Sequence, residues 1–158
     1  MKGNEKLISV LNELLADELT AINQYMVHSE MCANWGYDRL HHAIEKRAMQ
    51  EMKHAEMHIA RILFLEGTPV VSKLKEMHIG ANVENQFTQD CQAERDAIVV
   101  YNNAIKFAME VGDHGTREML DHILKEEEAH LDWLEAQIDQ INQIGLKNYL
   151  LAQIKEEK

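Results

Sequence analysis

The sequence predicts an all-α protein, a four-helix bundle with one long crossover connection and a short fifth helix at its C-terminal end. Apolar residues recur at intervals of about 3.6 residues through four long stretches of the chain. The connections between these stretches alternate short, long and short. One proline, seven glycines and few aromatic residues in 158 positions also suit helices better than strands.

The four long helices are expected over residues of about 4–34, 38–65, 83–111 and 116–144. Gly67-Thr68-Pro69 ends the second helix, because proline cannot continue it, and turn-like sequences at Gly112–Gly115 and Gly145 end the third and fourth. The segment 146–154 is amphipathic but too short to be stable alone, so we expect it to pack as a fifth helix.

Connection lengths predict the topology. The tight turns near 34–37 and 112–115 join antiparallel neighbours. The middle connection has about 15 irregular residues and spans up to roughly 50 Å, whereas a 27-residue helix is about 40 Å long. The second and third helices therefore run parallel, which is the ferritin-like connectivity. At this length the whole chain, 1–158, is expected to form a single domain.

Composition restricts the function classes. The formal net charge of −11 argues against nucleic acid or an anionic membrane as a partner. No run of 18 apolar residues occurs, and the N-terminus alternates charged and apolar residues, unlike a signal peptide. Cys32 and Cys91 stand alone without a CxxC motif, which suits a reducing compartment, so a cytoplasmic location is expected.

An internal repeat carries the chemical signal. The pattern Glu-x-x-His occurs twice, and each time another glutamate precedes it by 33 residues. The two triplets lie 76 residues apart and consist of Glu18, Glu51 and His54, then Glu94, Glu127 and His130. A shared register of this kind indicates a duplicated helical hairpin, whereas a single Glu-x-x-His pair is expected by chance.

These six side chains lie on the apolar stripes of their helices, so they point into the bundle. Burying four carboxylates and two imidazoles is very costly unless they are paired or hold metal ions. The set favours two iron or manganese ions sharing carboxylates, and it is too oxygen-rich for structural zinc. The alternatives are core ion pairs, or surface residues on helices whose faces are misassigned.

Neighbouring residues raise further expectations. Tyr25 and Tyr101 repeat in the same register, and each fits a core tyrosine, a hydrogen-bond donor to a carboxylate or a redox-active phenol. His58 lies one turn beyond His54 and is expected beside the ligands, not among them. Asp90, one turn before Glu94, is a candidate to orient a ligand imidazole.

Met52 breaks the repeat, because its counterpart is Glu128. Met52 and Met49 lie off the core face, where a bundle has no need of large apolar side chains. They are expected either to contact another subunit or, in the case of Met52, to provide a soft thioether ligand such as haem iron accepts.

With these motifs the chain resembles a bacterioferritin over its whole length. The resemblance lies in "INQY" at 22–25, "NWG" at 34–36, "MKHA" at 52–55 and "ILFLEG" at 62–67. It implies an iron-storing homo-oligomer, a hollow shell of 24 subunits built from dimers, with haem b at the twofold interfaces. In that family the methionine before the lysine of "MKHA" ligates haem iron, so Met52 from each of two subunits would hold the haem.

The resemblance also implies two iron ions per subunit and ferroxidase activity, with oxygen or peroxide as the oxidant. Glu51 and Glu127 would bridge the two ions, and the two remaining pairs would complete the sites: Glu18 with His54, and Glu94 with His130. A ferredoxin-type reductant is a further possible partner. Lys46 and Gln50 depart from members of the family that place His and Asp there, so an additional iron site on the inner wall is not expected.

Two other functions stay open at this point. A di-iron peroxidase of rubrerythrin type normally needs an electron donor such as CxxC-bound iron, which Cys32 and Cys91 cannot form. A structural subunit of a mixed ferritin shell would not need all six ligands.

Overall fold

A computed structural model describes residues 1–154. Four long helices and one short helix make up this part of the chain: α1 Glu5–Asn34, α2 Asp38–Phe64, α3 Val83–Glu110, α4 His114–Ile144 and α5 Leu146–Leu151. No strand occurs among these residues, so the predicted all-α fold is confirmed. Within the same residues, no helix combines the length and apolarity needed to cross a membrane.

Capping explains where the helices differ from the predicted bounds. Helix α4 begins two residues earlier than expected, at His114, because the Asp113 carboxylate accepts a hydrogen bond from the Thr116 backbone N–H. Gly115, predicted as part of the turn, therefore lies in the first turn of α4. Helix α5 is shorter than the predicted 146–154 and ends at Leu151.

Side-chain contacts show the helix directions. Between α1 and α3, Tyr25 pairs with Glu94, and the later Tyr101 pairs with the earlier Glu18, so these helices are antiparallel. Helices α1 and α2 are also antiparallel, because they are joined by a tight turn. Helices α2 and α3 therefore run parallel, and the predicted bundle with one long crossover is confirmed.

The apolar core is divided into two clusters along the bundle axis. One cluster contains Leu15, Ala55 and Ile123, and the other contains Tyr25, Ala48 and further residues at the opposite end. On every long helix the two clusters are separated by a short interval that carries polar side chains. These intervals lie at one level of the bundle, and they contain the six residues singled out from the repeat.

The crossover, residues 65–82, is anchored to α1 by side chains. Four of its backbone N–H groups donate to α1 side chains at 2.8–3.1 Å: Val70 to Asn12, Lys75 to Thr20, His78 to Gln24 and Gly80 to His28. The segment has no neighbouring strand, so these side chains replace the partners that a sheet would supply. The crossover is thereby held along one side of the polar layer.

Candidate metal centre

The structure brings all six predicted residues together in the polar layer. Five of them are at most 3% exposed, and His130 is half-buried. Their ligand atoms form two groups in which every atom lies within 4.8 Å of the others: Glu18, Glu51, His54 and Glu127 in the first, and Glu51, Glu94 and His130 in the second. Glu51 belongs to both groups, so the two possible metal positions are adjacent.

His54 presents one ring nitrogen to the carboxylates. Its Nδ1 atom lies 3.0 Å from an oxygen of Glu51 and 3.0 Å from an oxygen of Glu127. Its Nε2 atom lies 2.6 Å from Glu126, which fixes the orientation of the ring. A carboxylate behind the imidazole is the usual arrangement around histidine metal ligands. Glu126 was missed from the sequence, although it directly precedes a predicted ligand.

The role predicted for Asp90 is wrong. Asp90 is buried, but it contacts neither ligand histidine. Its oxygens lie 3.0 Å from Nδ1 of His28 and 2.8 Å from the amide nitrogen of Gln24. Both partners lie on α1, and both also accept hydrogen bonds from the crossover. Asp90 therefore links α3 to α1 and, through His28 and Gln24, to the crossover, one turn away from the candidate ligand Glu94.

Each of the two tyrosines hydrogen-bonds a glutamate from the other copy of the repeat. The Tyr25 hydroxyl hydrogen-bonds Glu94, and the Tyr101 hydroxyl hydrogen-bonds Glu18, so each phenol supports the glutamate of the other copy. Burial, reinforced by the nearby glutamates, raises the pKa of both tyrosines well above its ordinary value. Both phenols therefore stay protonated and donate hydrogen bonds to the carboxylates.

His58 extends this network behind Tyr101. Its Nε2 atom lies 2.7 Å from the Tyr101 oxygen. Burial and the charge of His54 lower the pKa of His58 to about 3, so the ring is neutral at pH 7. Because the Tyr101 proton is directed to Glu18, His58 must donate from Nε2 to the phenol oxygen. His58 thus lies beside the candidate ligands, as expected from the sequence.

Arg47 enters the same site, and the sequence analysis missed it. The residue is 5% exposed, and its Nη2 atom lies 2.5 Å from Glu51, 2.5 Å from Glu127 and 3.6 Å from Glu94. A detectable signal was present, because Arg47 precedes Glu51 by one helical turn and therefore shares its face. Burial opposes the charge of Arg47, but the carboxylates outweigh it and raise its pKa above the usual range.

The buried acidic and basic groups of the layer shift one another's pKa values. Burial and the neighbouring Glu18 raise the pKa of Glu51 to about 8. Burial, with Glu94 and Glu51 nearby, also raises the pKa of Glu127. Burial alone would lower the pKa of His54, but hydrogen bonds from the ring to carboxylates outweigh burial and raise that pKa. Protons thus balance the negative charge, and cations that bind here must displace them.

The carboxylate oxygens show that the donor set suits metal ions. Oε1 of Glu51 lies 2.5 Å from Arg47 and Oε1 of Glu127 lies 3.0 Å from His54, whereas Oε2 of Glu94 is buried without a hydrogen-bond partner. Buried acceptors are normally satisfied, so the Glu94 oxygen needs an explanation. Carboxylate and imidazole donors in this proportion fit iron or manganese, and the residues therefore fit the predicted pair of ions.

Comparison with known proteins agrees with this arrangement. The Ferritin-like domain family model matches residues 8–144. The bacterioferritin of Rhodobacter capsulatus is 38% identical over 151 residues, covering 96% of this chain and 94% of the relative. The bacterioferritin of Brucella melitensis biotype 1 is 37% identical over 149 residues, covering 94% and 92%. The bacterial ferritin of Neisseria gonorrhoeae is 37% identical over 155 residues, covering 98% and 100%.

The chain belongs to the bacterioferritin family. The likeness spans nearly its full length, so the resemblance read from the sequence motifs is confirmed. Membership supports iron storage, metal binding and a homo-oligomeric state for this bacterioferritin.

Met52 lies apart from the buried centre. Its side chain is 40% exposed, and Met49 on the same outer face of α2 is 52% exposed. On the neighbouring surface of α1, an open groove of about 590 Å³ is lined by residues that include Met26, Met31 and Trp35. In this bacterioferritin the outer face of α1 and α2 therefore carries several exposed apolar side chains, as expected for a surface that contacts another subunit.

Proposed function

We propose that the chain is a ferroxidase that stores iron, oxidising Fe(II) to Fe(III) at a two-iron centre within each subunit. The observation that carries the proposal is the polar layer, where six candidate ligand side chains from four helices converge, five of them buried, and one carboxylate oxygen of Glu94 lacks a partner. Packing does not require such a layer, because well-packed apolar residues in place of buried ion pairs are often equally or more stable.

Iron is the substrate in this reaction. Two Fe(II) ions supply two electrons, which together with two protons reduce oxygen to hydrogen peroxide, or hydrogen peroxide to two molecules of water. We infer that Glu51 lies between the ions, since it belongs to both groups of ligand atoms, and, from the family resemblance, that Glu127 does so too. The remaining pairs would complete the two positions: Glu18 with His54, and Glu94 with His130. Carboxylates also stabilise the higher charge of Fe(III).

Stopped-flow absorbance after mixing Fe(II) with oxygen or peroxide tests the centre. The double variant Glu94→Gln, Glu127→Gln keeps the side-chain shape but removes two anionic ligands, and it should lose rapid oxidation. Glu128→Gln is the matched control, because Glu128 follows Glu127 on α4 and is exposed. Rapid oxidation that survives in the double variant would contradict the proposed centre.

The proposed storage role requires a closed shell. A 24-subunit assembly of this 18.3 kDa chain has a mass of about 440 kDa. Size-exclusion chromatography with light scattering should show that particle, together with retained ferric mineral after iron loading. A stable dimer under the same conditions would contradict storage but not the oxidation site.

We also propose that Met52 from two subunits holds a haem b, which supplies one-electron redox chemistry when bound. The exposed thioether of Met52 on the outer face supports this assignment. Met52→Leu should abolish haem absorbance and leave Fe(II) oxidation intact. Met49→Leu is the control, because that exposed methionine lies on the same face and should retain haem. Haem bound normally by the Met52 variant would contradict the ligand assignment.

A further inference from the structure

Arg47 has no part in the reaction proposed above. Its guanidinium is buried within the metal centre, where its Nη2 atom lies 2.5 Å from each of the two carboxylates proposed as bridges. Its remaining hydrogen bond is from Nη1 to the Gln50 side chain, at 3.2 Å. A cation in this position occupies space and carboxylate oxygens that two iron ions would need.

Packing alone does not explain an arginine at this position. In the 76-residue register, its counterpart on α4 is Ile123, which is completely buried in an apolar cluster. The fold therefore accepts an aliphatic side chain at the equivalent place. Arg61, on the same helix, provides a contrast: it binds Asp113 and Thr116 at the start of α4, which is a structural role remote from the centre.

We propose that Arg47 is an internal counter-ion, which holds the carboxylates of the iron-free centre and withdraws when metal ions bind. This inference rests on the proposed two-iron centre. A metal ion bound to Glu51 and Glu127 would meet the positive guanidinium at contact distance, so both cannot use the same oxygens together. Gln50 is half-buried and already accepts a hydrogen bond from Arg47, so it marks a direction in which the side chain can leave.

The counter-ion has two opposing effects. In the iron-free protein it compensates buried carboxylates that would otherwise repel one another, and thereby stabilises the fold. During iron binding it competes, because only molecules in which Arg47 has withdrawn can accept both ions. The apparent affinity for metal is then the intrinsic affinity multiplied by the fraction of molecules in which Arg47 has withdrawn, so it is lower than the intrinsic value. A purely structural arginine would show the first effect but not the second.

Titration with Co(II), which does not react with oxygen under these conditions as Fe(II) does, separates the two effects. We compare the assembled, metal-free wild type with Arg47→Met by calorimetry and by cobalt absorbance, and measure the melting temperature of each. The variant should bind Co(II) at least about tenfold more tightly, yet melt at a lower temperature without metal. Arg61→Met, the control, should melt at a lower temperature with unchanged Co(II) affinity.

Equal or weaker Co(II) binding by Arg47→Met would overturn the counter-ion role. If that variant fails to assemble, Arg47→Lys replaces it, because a single ammonium group cannot span two carboxylates as a guanidinium does. The lysine variant should then bind Co(II) more tightly than the wild type, and unchanged or weaker binding overturns the proposal. A crystal structure of the Co(II)-loaded wild type should show the guanidinium away from Glu51 and Glu127; a guanidinium that stays between them also overturns it.

The same experiment distinguishes this inference from the proposed function. Co(II) binding by the wild type that is lost in Glu94→Gln, Glu127→Gln establishes the centre, whatever Arg47 does. Unchanged affinity in Arg47→Met then overturns the counter-ion role alone. Absence of Co(II) binding in every version overturns the proposed centre and this inference together.

Discussion

The Tyr101 hydroxyl is the link between a buried imidazole and a buried carboxylate, so its removal has a cost that can be worked out. Tyr101→Phe leaves Nε2 of His58 without an acceptor and Glu18 without this donor. Each unsatisfied buried group costs about 1–3 kcal/mol, and more when it is charged. We therefore expect a loss of about 3–5 kcal/mol in the free energy of unfolding. For a chain of this size that corresponds to a decrease of roughly 6–20 °C in melting temperature.

The matched control is Tyr149→Phe. Tyr149 is as deeply buried as Tyr101, but its hydroxyl has a single partner, Gln137, at 2.8 Å. Losing one neutral hydrogen bond should cost about 1–2 kcal/mol. Differential scanning calorimetry of the assembled, metal-free proteins at pH 7 gives the comparison. If Tyr101→Phe melts no lower than Tyr149→Phe, the proposed chain of donors from His58 to Glu18 is wrong.

Three further predictions concern pH and backbone geometry. His58→Gln keeps a hydrogen-bond donor but does not titrate. The pKa of His58 is about 6.5 in the unfolded chain and about 3 in the folded protein, so protonation favours the unfolded state. In urea unfolding, the wild type alone should lose about 1.4 kcal/mol of unfolding free energy per pH unit from this group as pH drops from 6 to 4. Asp113→Ala removes the cap on Thr116 and the ion pair with Arg61, and it should cost about 1–2 kcal/mol at pH 7. Burial raises the pKa of Asp113, but its hydrogen bonds with Thr116 outweigh this effect, so the pKa lies below its usual value. The difference in stability between the wild type and this variant should therefore vanish in acid, as pH falls through the folded pKa. Gly80→Ala places a Cβ 2.3 Å from the Gln86 backbone nitrogen, so the crossover must shift; calorimetry should show a loss of about 1–3 kcal/mol, and an unchanged melting temperature would contradict the packing described.

The sequence allowed the fold and the positions of the six candidate ligands to be predicted, because two independent periods agreed. The helical period placed Glu51 and His54 on one face, and the 76-residue register placed a second set at the same level. Connection lengths then left one topology. The placement of the six candidate ligands in the core did not depend on any side-chain rotamer, so periodicity was sufficient to predict it.

Contacts made by long side chains were beyond the same reasoning. Periodicity indicates which face of a helix a residue occupies, but it does not indicate which neighbour the side chain reaches on the next helix. Asp90 was therefore assigned to a ligand histidine, whereas His28 on α1 lies within reach. Arg47 was overlooked for a related reason, since arginine usually directs its charge to solvent and only the surrounding carboxylates retain it in the core.

The anchoring of the crossover by α1 has a practical consequence for labelling the protein. Its backbone contacts depend on α1 side chains, so outward-facing positions of the crossover itself are free to change. Val71 is 58% exposed, and Val71→Cys would accept a fluorescent or spin probe without disturbing the anchors. Cys32 and Cys91 are buried thiols, which favours selective reaction at the introduced position.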